Sequence, residues 1–99
     1  MSDFEIILTE EADEYLKLLA SDKGRERAYK AVSKALQLMS KNLWHPSLAT
    51  HEFHSKQGPN GEKIFESYVQ NNTPGAHRIF WYYGPEKKEI TVVTITPHP

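Results

Sequence analysis

The chain has 99 residues, enough for one domain with a single two-layer core and too few for a second. Thirteen acids stand against twelve bases, a formal net charge of −1, so no global charge points to a nucleic-acid partner and any polyanion site must be a local patch. The absence of cysteine removes disulfide frameworks, thiolate nucleophiles and thiolate metal sites; no apolar segment approaches the roughly 20 residues of a bilayer span and nothing near Met1 reads as a signal, so a soluble, cytoplasmic protein is expected.

In chain order, the apolar run from Phe4 to Leu8 predicts an opening strand. Thr9 then stands where an N-cap is wanted, with Glu10 and Glu11 at the positive end of the helix dipole. Ala12, Tyr15, Leu16 and Leu19 follow at spacings of three and four, one face of a first helix, and Ser21 and Asp22 interrupt it and can cap the next. Ala28, Val32, Ala35, Leu36, Met39 and Leu43 repeat the spacing, and His45-Pro46 is expected to end the second helix, because proline disfavours a helical residue before it. Neither helix can bury its apolar face alone, so the pair is expected to lie on a sheet.

His51 to Ser55 can form a short strand, and Lys56 to Gly61 is a loop by its Gly, Pro and Asn content. Lys63 to Gln70, Ala76 to Tyr83 and Glu89 to Thr96 are rich in β-branched and aromatic residues and bounded by Pro, Gly and Asn, which predicts three strands in an antiparallel meander. Strict alternation would turn Ile79, Trp81, Val93 and Ile95 toward the helices, and Arg78, Phe80, Tyr82, Thr94, Thr96 and His98 to the other face.

Several chemistries find no support. His51 and His54 lack the further ligands a zinc site needs, the Gly58 to Gly61 spacing precedes a strand where a phosphate-binding turn must open a helix, and Ser47, Ser55 and Ser67 lack the context of a hydrolase nucleophile. The helices mix acids and bases on their outer faces, unlike a membrane anchor. An arginine among rings and hydroxyls suits single-stranded RNA: the guanidinium neutralises phosphate, rings stack on unpaired bases, and a nearby histidine exchanges protons. The competing role is structural, with Arg78 pairing across strands with Glu66 while Tyr68 and Tyr82 cover the sheet.

The order strand, helical hairpin, then a meander containing AHRIFWYY (Ala76 to Tyr83) and EITVVTITPH (Glu89 to His98) resembles the RelE/ParE superfamily of bacterial toxins from type II toxin–antitoxin systems. The specific motif is His77-Arg78-Ile79 with the terminal His98, inside a resemblance of element order that covers nearly the whole chain. It implies an α+β fold of order β-α-α-β-β-β-β over residues 1–99, and a ribosome-dependent, metal-independent mRNA endoribonuclease that inhibits translation and is neutralised by a cognate antitoxin. The resemblance makes Arg78 the residue that stabilises the scissile phosphate and His98 the acid. It places His51 and His54 on the strand that supplies the general base and a basic residue. Tyr82, Phe80, Tyr68 and Lys63 are expected to bind RNA, with ribosome and mRNA as partners and neither membrane, metal nor small-molecule cofactor involved. The near-neutral charge, and Pro99 after His98 where a basic residue or tyrosine often stands, leave open a non-catalytic module of the same fold, directed at gyrase or binding an antitoxin.

Overall fold

The computed structural model describes residues 3–69 and 76–97. Its elements are β1 (Glu5–Leu8), α1 (Glu10–Ser21), α2 (Glu26–Lys41), β2 (His51–Gln57), β3 (Lys63–Val69), β4 (His77–Tyr83) and β5 (Glu89–Pro97). The class is α+β, in the expected order. Strands β2 to β5 form the antiparallel meander, and β1 adds parallel to β5, giving a mixed five-stranded sheet of order β1-β5-β4-β3-β2. The helices pack on one face, α1 over β5 and α2 against β1 and β3.

Local chemistry explains most boundaries. The Thr9 hydroxyl accepts from the Ala12 N–H at 3.2 Å and donates to the Val93 carbonyl at 2.6 Å, so one side chain caps α1 and ties it to β5. Asp22 does cap, but it caps a single 3-10 turn, Lys23–Arg25, through the Gly24 N–H; α2 starts without a side-chain cap. Helix α2 ends at Lys41, four residues before His45. Asn42 is extended (φ −155°), and its side-chain oxygen takes the Trp44 N–H at 3.2 Å, a local bond that competes with another helical turn. Leu43 still reaches the core from the turn that follows, and Leu48 plugs the same side from a 3-10 turn at Pro46–Leu48.

The core joins Leu19, Val32 and Met39 of the helices to Ile79, Trp81, Ile90, Val92 and Ile95 of the sheet. One expected core residue is missing. A β-bulge shifts the β4–β5 register between Phe80 and Trp81: Phe80 faces Thr94, Trp81 faces Val92, and Val93 is the extra residue. Val92 therefore takes the inward place that strict alternation gave to Val93, which turns to the open face. Past the bulge the parity is again the expected one, with Ile95 inward and Thr94 and Thr96 outward.

Trp81 is 0 % exposed, stacked on Phe65 with centroids 4.9 Å apart. Its indole N–H donates to the Ser67 hydroxyl at 2.9 Å, Ser67 and Thr50 hydroxyls meet at 2.7 Å, and Thr50 donates to the Leu43 carbonyl at 2.8 Å. Because the Thr50 proton goes to Leu43, Ser67 must donate to Thr50, so the chain runs in one direction and every member is satisfied. Ser67→Ala strands the buried indole N–H, and a loss of about 1–3 kcal/mol is expected. Urea unfolding should show a lower midpoint at unchanged m-value; an unaltered midpoint would mean that this chain of bonds is dispensable.

Candidate functional site

The helices leave the other face of the sheet uncovered, and alternation delivers a defined set of side chains to it. From β3 come Ile64, Glu66 and Tyr68, from β2 His51 and Phe53, and from β4 Arg78, Phe80 and Tyr82. Thr94, Thr96 and the bulged Val93 complete the face from β5.

At its polar end lies a carboxylate under cover. Glu66 is only 3 % exposed and receives three donors: His51 Nε2 at 2.7 Å, Arg78 Nη1 at 3.0 Å and the Tyr68 hydroxyl at 3.4 Å. Register explains the cluster, since His51 sits directly opposite Glu66 and Arg78 lies on the diagonal, opposite Tyr68. Burial, reinforced by the Glu66 carboxylate and their shared hydrogen bond, pushes the Tyr68 phenol above its ordinary value, against a smaller pull from Arg78; Tyr68 stays a donor near neutrality. His51 Nδ1 lies 3.0 Å from the Ala49 carbonyl, so both ring nitrogens face oxygen acceptors.

Arg78 links this cluster to a cavity of about 360 Å³. Its guanidinium pairs with Glu66 and sits 5.3 Å from the centroid of the Phe80 ring. Phe53, Ile64, Phe80 and Val93 give the cavity apolar walls, with Tyr82 and Lys56 among its other lining groups. Arg78 Nε and Thr96 Oγ1 are buried without a hydrogen-bond partner among the described residues, and both residues line the cavity from facing positions of β4 and β5. Buried donors left unpaired are costly, so such a pair marks a place that an acceptor would stabilise.

The expected site residues separate into groups. Arg78, His51 and Tyr68 converge on Glu66, and Tyr82 lines the neighbouring cavity. Phe80 faces the cavity as expected, yet it is 8 % exposed and packs edge-on against Phe53 at 4.9 Å, so it forms wall more than platform. His54 is 80 % exposed by side chain and its nearest charged partner is Glu52 at 3.4 Å; it takes no part in the Glu66 cluster. Lys63 is exposed at the start of β3 opposite Gln57, and Lys56 is the lysine that lines the cavity. His98 lies outside the described residues, and so does Gln70 at the end of the expected third strand.

Two features escaped sequence reasoning. Glu66 appeared there only as a pairing partner of Arg78, although an acid in mid-strand between Ile64 and Tyr68, on the parity of the open face, is the signal that marks it. The cavity depends on the bulge that turns Val93 outward, which no local pattern announces. Among the described residues no group of His, Asp and Glu is arranged to hold a metal ion, and no helix is long and apolar enough to cross a membrane. No protein-family model, curated protein or solved structure matches the chain.

Proposed function

We propose that this chain is a RelE/ParE-like toxin that cleaves mRNA on the ribosome. The observation that carries the reading is the buried Glu66 carboxylate, joined to His51 and Arg78 on an open sheet face beside a cavity with apolar walls. In the proposed reaction Glu66, backed by His51, accepts the proton of a ribose 2′-hydroxyl, and the freed oxygen attacks the adjacent phosphorus. Arg78, with the Thr96 hydroxyl beside it, offsets the charge that develops on the phosphoryl oxygens. The P–O5′ bond breaks, the leaving oxygen takes a proton from an acid, a role the resemblance gives to His98, and the products are a 2′,3′-cyclic phosphate and a 5′-hydroxyl. The cavity would receive a base unstacked from the strand, against Phe53 and Tyr82. The cognate antitoxin, in this reading, is a small acidic protein whose partly apolar tail covers the same face.

One observation favours a second reading, a non-catalytic module directed at gyrase or at a protein partner. Arg78 is already neutralised by Glu66, and a guanidinium so engaged has less to offer a phosphate. Incubation with programmed ribosomes separates the two. Cleaved mRNA bearing 2′,3′-cyclic phosphate ends, formed in EDTA and suppressed by the cognate antitoxin, is the expected result. Intact mRNA with inhibited DNA supercoiling would move the assignment to gyrase, and inactivity in both assays would leave the interaction module.

A further inference from the structure

The near-zero net charge conceals a sharp local imbalance. Between Lys23 and Lys34 the sequence carries five cations, Lys23, Arg25, Arg27, Lys30 and Lys34, and one acid, Glu26. The first two turns of α1 carry Glu10, Glu11, Asp13 and Glu14 before their first base, Lys17. Helical spacing of three and four gathers Arg27, Lys30 and Lys34 on one outward stripe of α2, about 10 Å long at the helical rise. With Glu26 and Ala31 they line a shallow groove on the side of the molecule away from Glu66.

Compensation along the stripe is slight. Lys30 pairs with Glu26 at 3.2 Å, an exposed contact four residues apart that water and salt screen, and neither Arg27 nor Lys34 has an ion-pair partner among the described residues. The opposite side of α2, Val32, Ala35 and Met39, is locked in the core, so the helix cannot turn an apolar face into a bilayer. Among the described residues no aromatic ring lines the groove, so they offer nothing for an unpaired base to stack on. A rigid row of cations with no stacking surface fits phosphates whose bases are hidden.

We propose that the Arg27–Lys30–Lys34 stripe is a second nucleic-acid contact, a docking surface for the backbone of base-paired RNA. The choice of RNA over DNA rests on the mRNA-cleavage reading; the backbone chemistry does not. The stripe holds a structured RNA by phosphate contacts alone while the open sheet face remains free for a single strand.

Fluorescence anisotropy with a labelled RNA hairpin tests this without any cleavage readout, and the helix-exposed side chains can be changed without touching the core. The variant Arg27→Gln/Lys30→Gln/Lys34→Gln should bind the hairpin at least tenfold more weakly at about 50 mM salt, with a log–log salt slope reduced by roughly two to three, near one unit per lost contact. A control of equal charge change elsewhere, Lys17→Gln/Lys41→Gln/Lys87→Gln, should lose less than threefold. Equal losses in both triple variants would overturn the proposal in favour of net charge. So would a wild-type protein that ignores the hairpin, or stripe-dependent binding to anionic vesicles stronger than to RNA. An inactive nuclease whose hairpin affinity still depends on the stripe would refute the cleavage reading and leave the docking surface standing.

Discussion

Trp81→Ala should cost about 3–5 kcal/mol, the largest stability loss expected of any single change in this chain. The indole is fully buried, stacked on Phe65, edge-on to Tyr83 at 5.0 Å, and placed where β4 meets the helices. Its removal leaves a cavity that a sheet held by pairing on both sides of β4 cannot collapse, and it strips the Ser67 hydroxyl of its donor. Against a total stability of roughly 5–15 kcal/mol for a small domain, such a variant stands near the unfolding threshold. A drop in Tm on the order of 15–30 °C is expected for this chain length. Trp81→Phe keeps a ring on Phe65 and loses only the N–H and part of the volume, so it should fall between wild type and alanine. A loss below about 1 kcal/mol for the alanine variant would contradict the packing of β4.

The inward turn of Trp81 was legible in the sequence because a two-residue period, once one face is buried, leaves a single register that puts Ile79 and Trp81 inside. Thr9 was legible as a cap for a similarly local reason: the hydroxyl reaches the Ala12 N–H within one turn. Features decided over long range were not legible. Val93 turns outward because a bulge absorbs one residue of β5 opposite Trp81, and the extra carbonyl there is the acceptor of the Thr9 hydroxyl, 84 residues earlier. The early end of α2 depends on the Asn42 side chain choosing the Trp44 N–H over solvent, a choice that periodicity does not carry. At the candidate site, Arg78 stood out as the lone cation of its strand, and its pairing with Glu66 was foreseen as a structural role. The joining of His51 to the same carboxylate required knowing that β2 pairs with β3 in the register that sets His51 opposite Glu66.

That shared carboxylate decides how the nuclease reading is best challenged. If Glu66 is the base, Glu66→Gln should lower cleavage on programmed ribosomes by about 10²–10⁴-fold, since an amide of nearly the same shape still accepts hydrogen bonds but cannot take the 2′-hydroxyl proton. Arg78→Ala should lower it by about 10²–10³-fold through lost charge stabilisation. Alanine also breaks an ion pair whose carboxylate is buried and leaves Glu66 with the contacts of His51 and Tyr68, so lost activity there is ambiguous between chemistry and folding. Arg78→Lys resolves this. Lysine keeps a cation near Glu66 but removes the planar fork and the Nε–H that faces no partner among the described residues, so stability should largely return while cleavage stays depressed. The double variant Glu66→Gln/Arg78→Lys gives the sharpest outcome. Two groups that act on one transition state as a unit lose far less together than the product of their separate losses, whereas two independent surface contacts multiply. Losses that simply multiply would separate the two roles, and full activity in Glu66→Gln and Arg78→Lys would remove both from the reaction and return their pair to the structural role of a cross-strand ion pair.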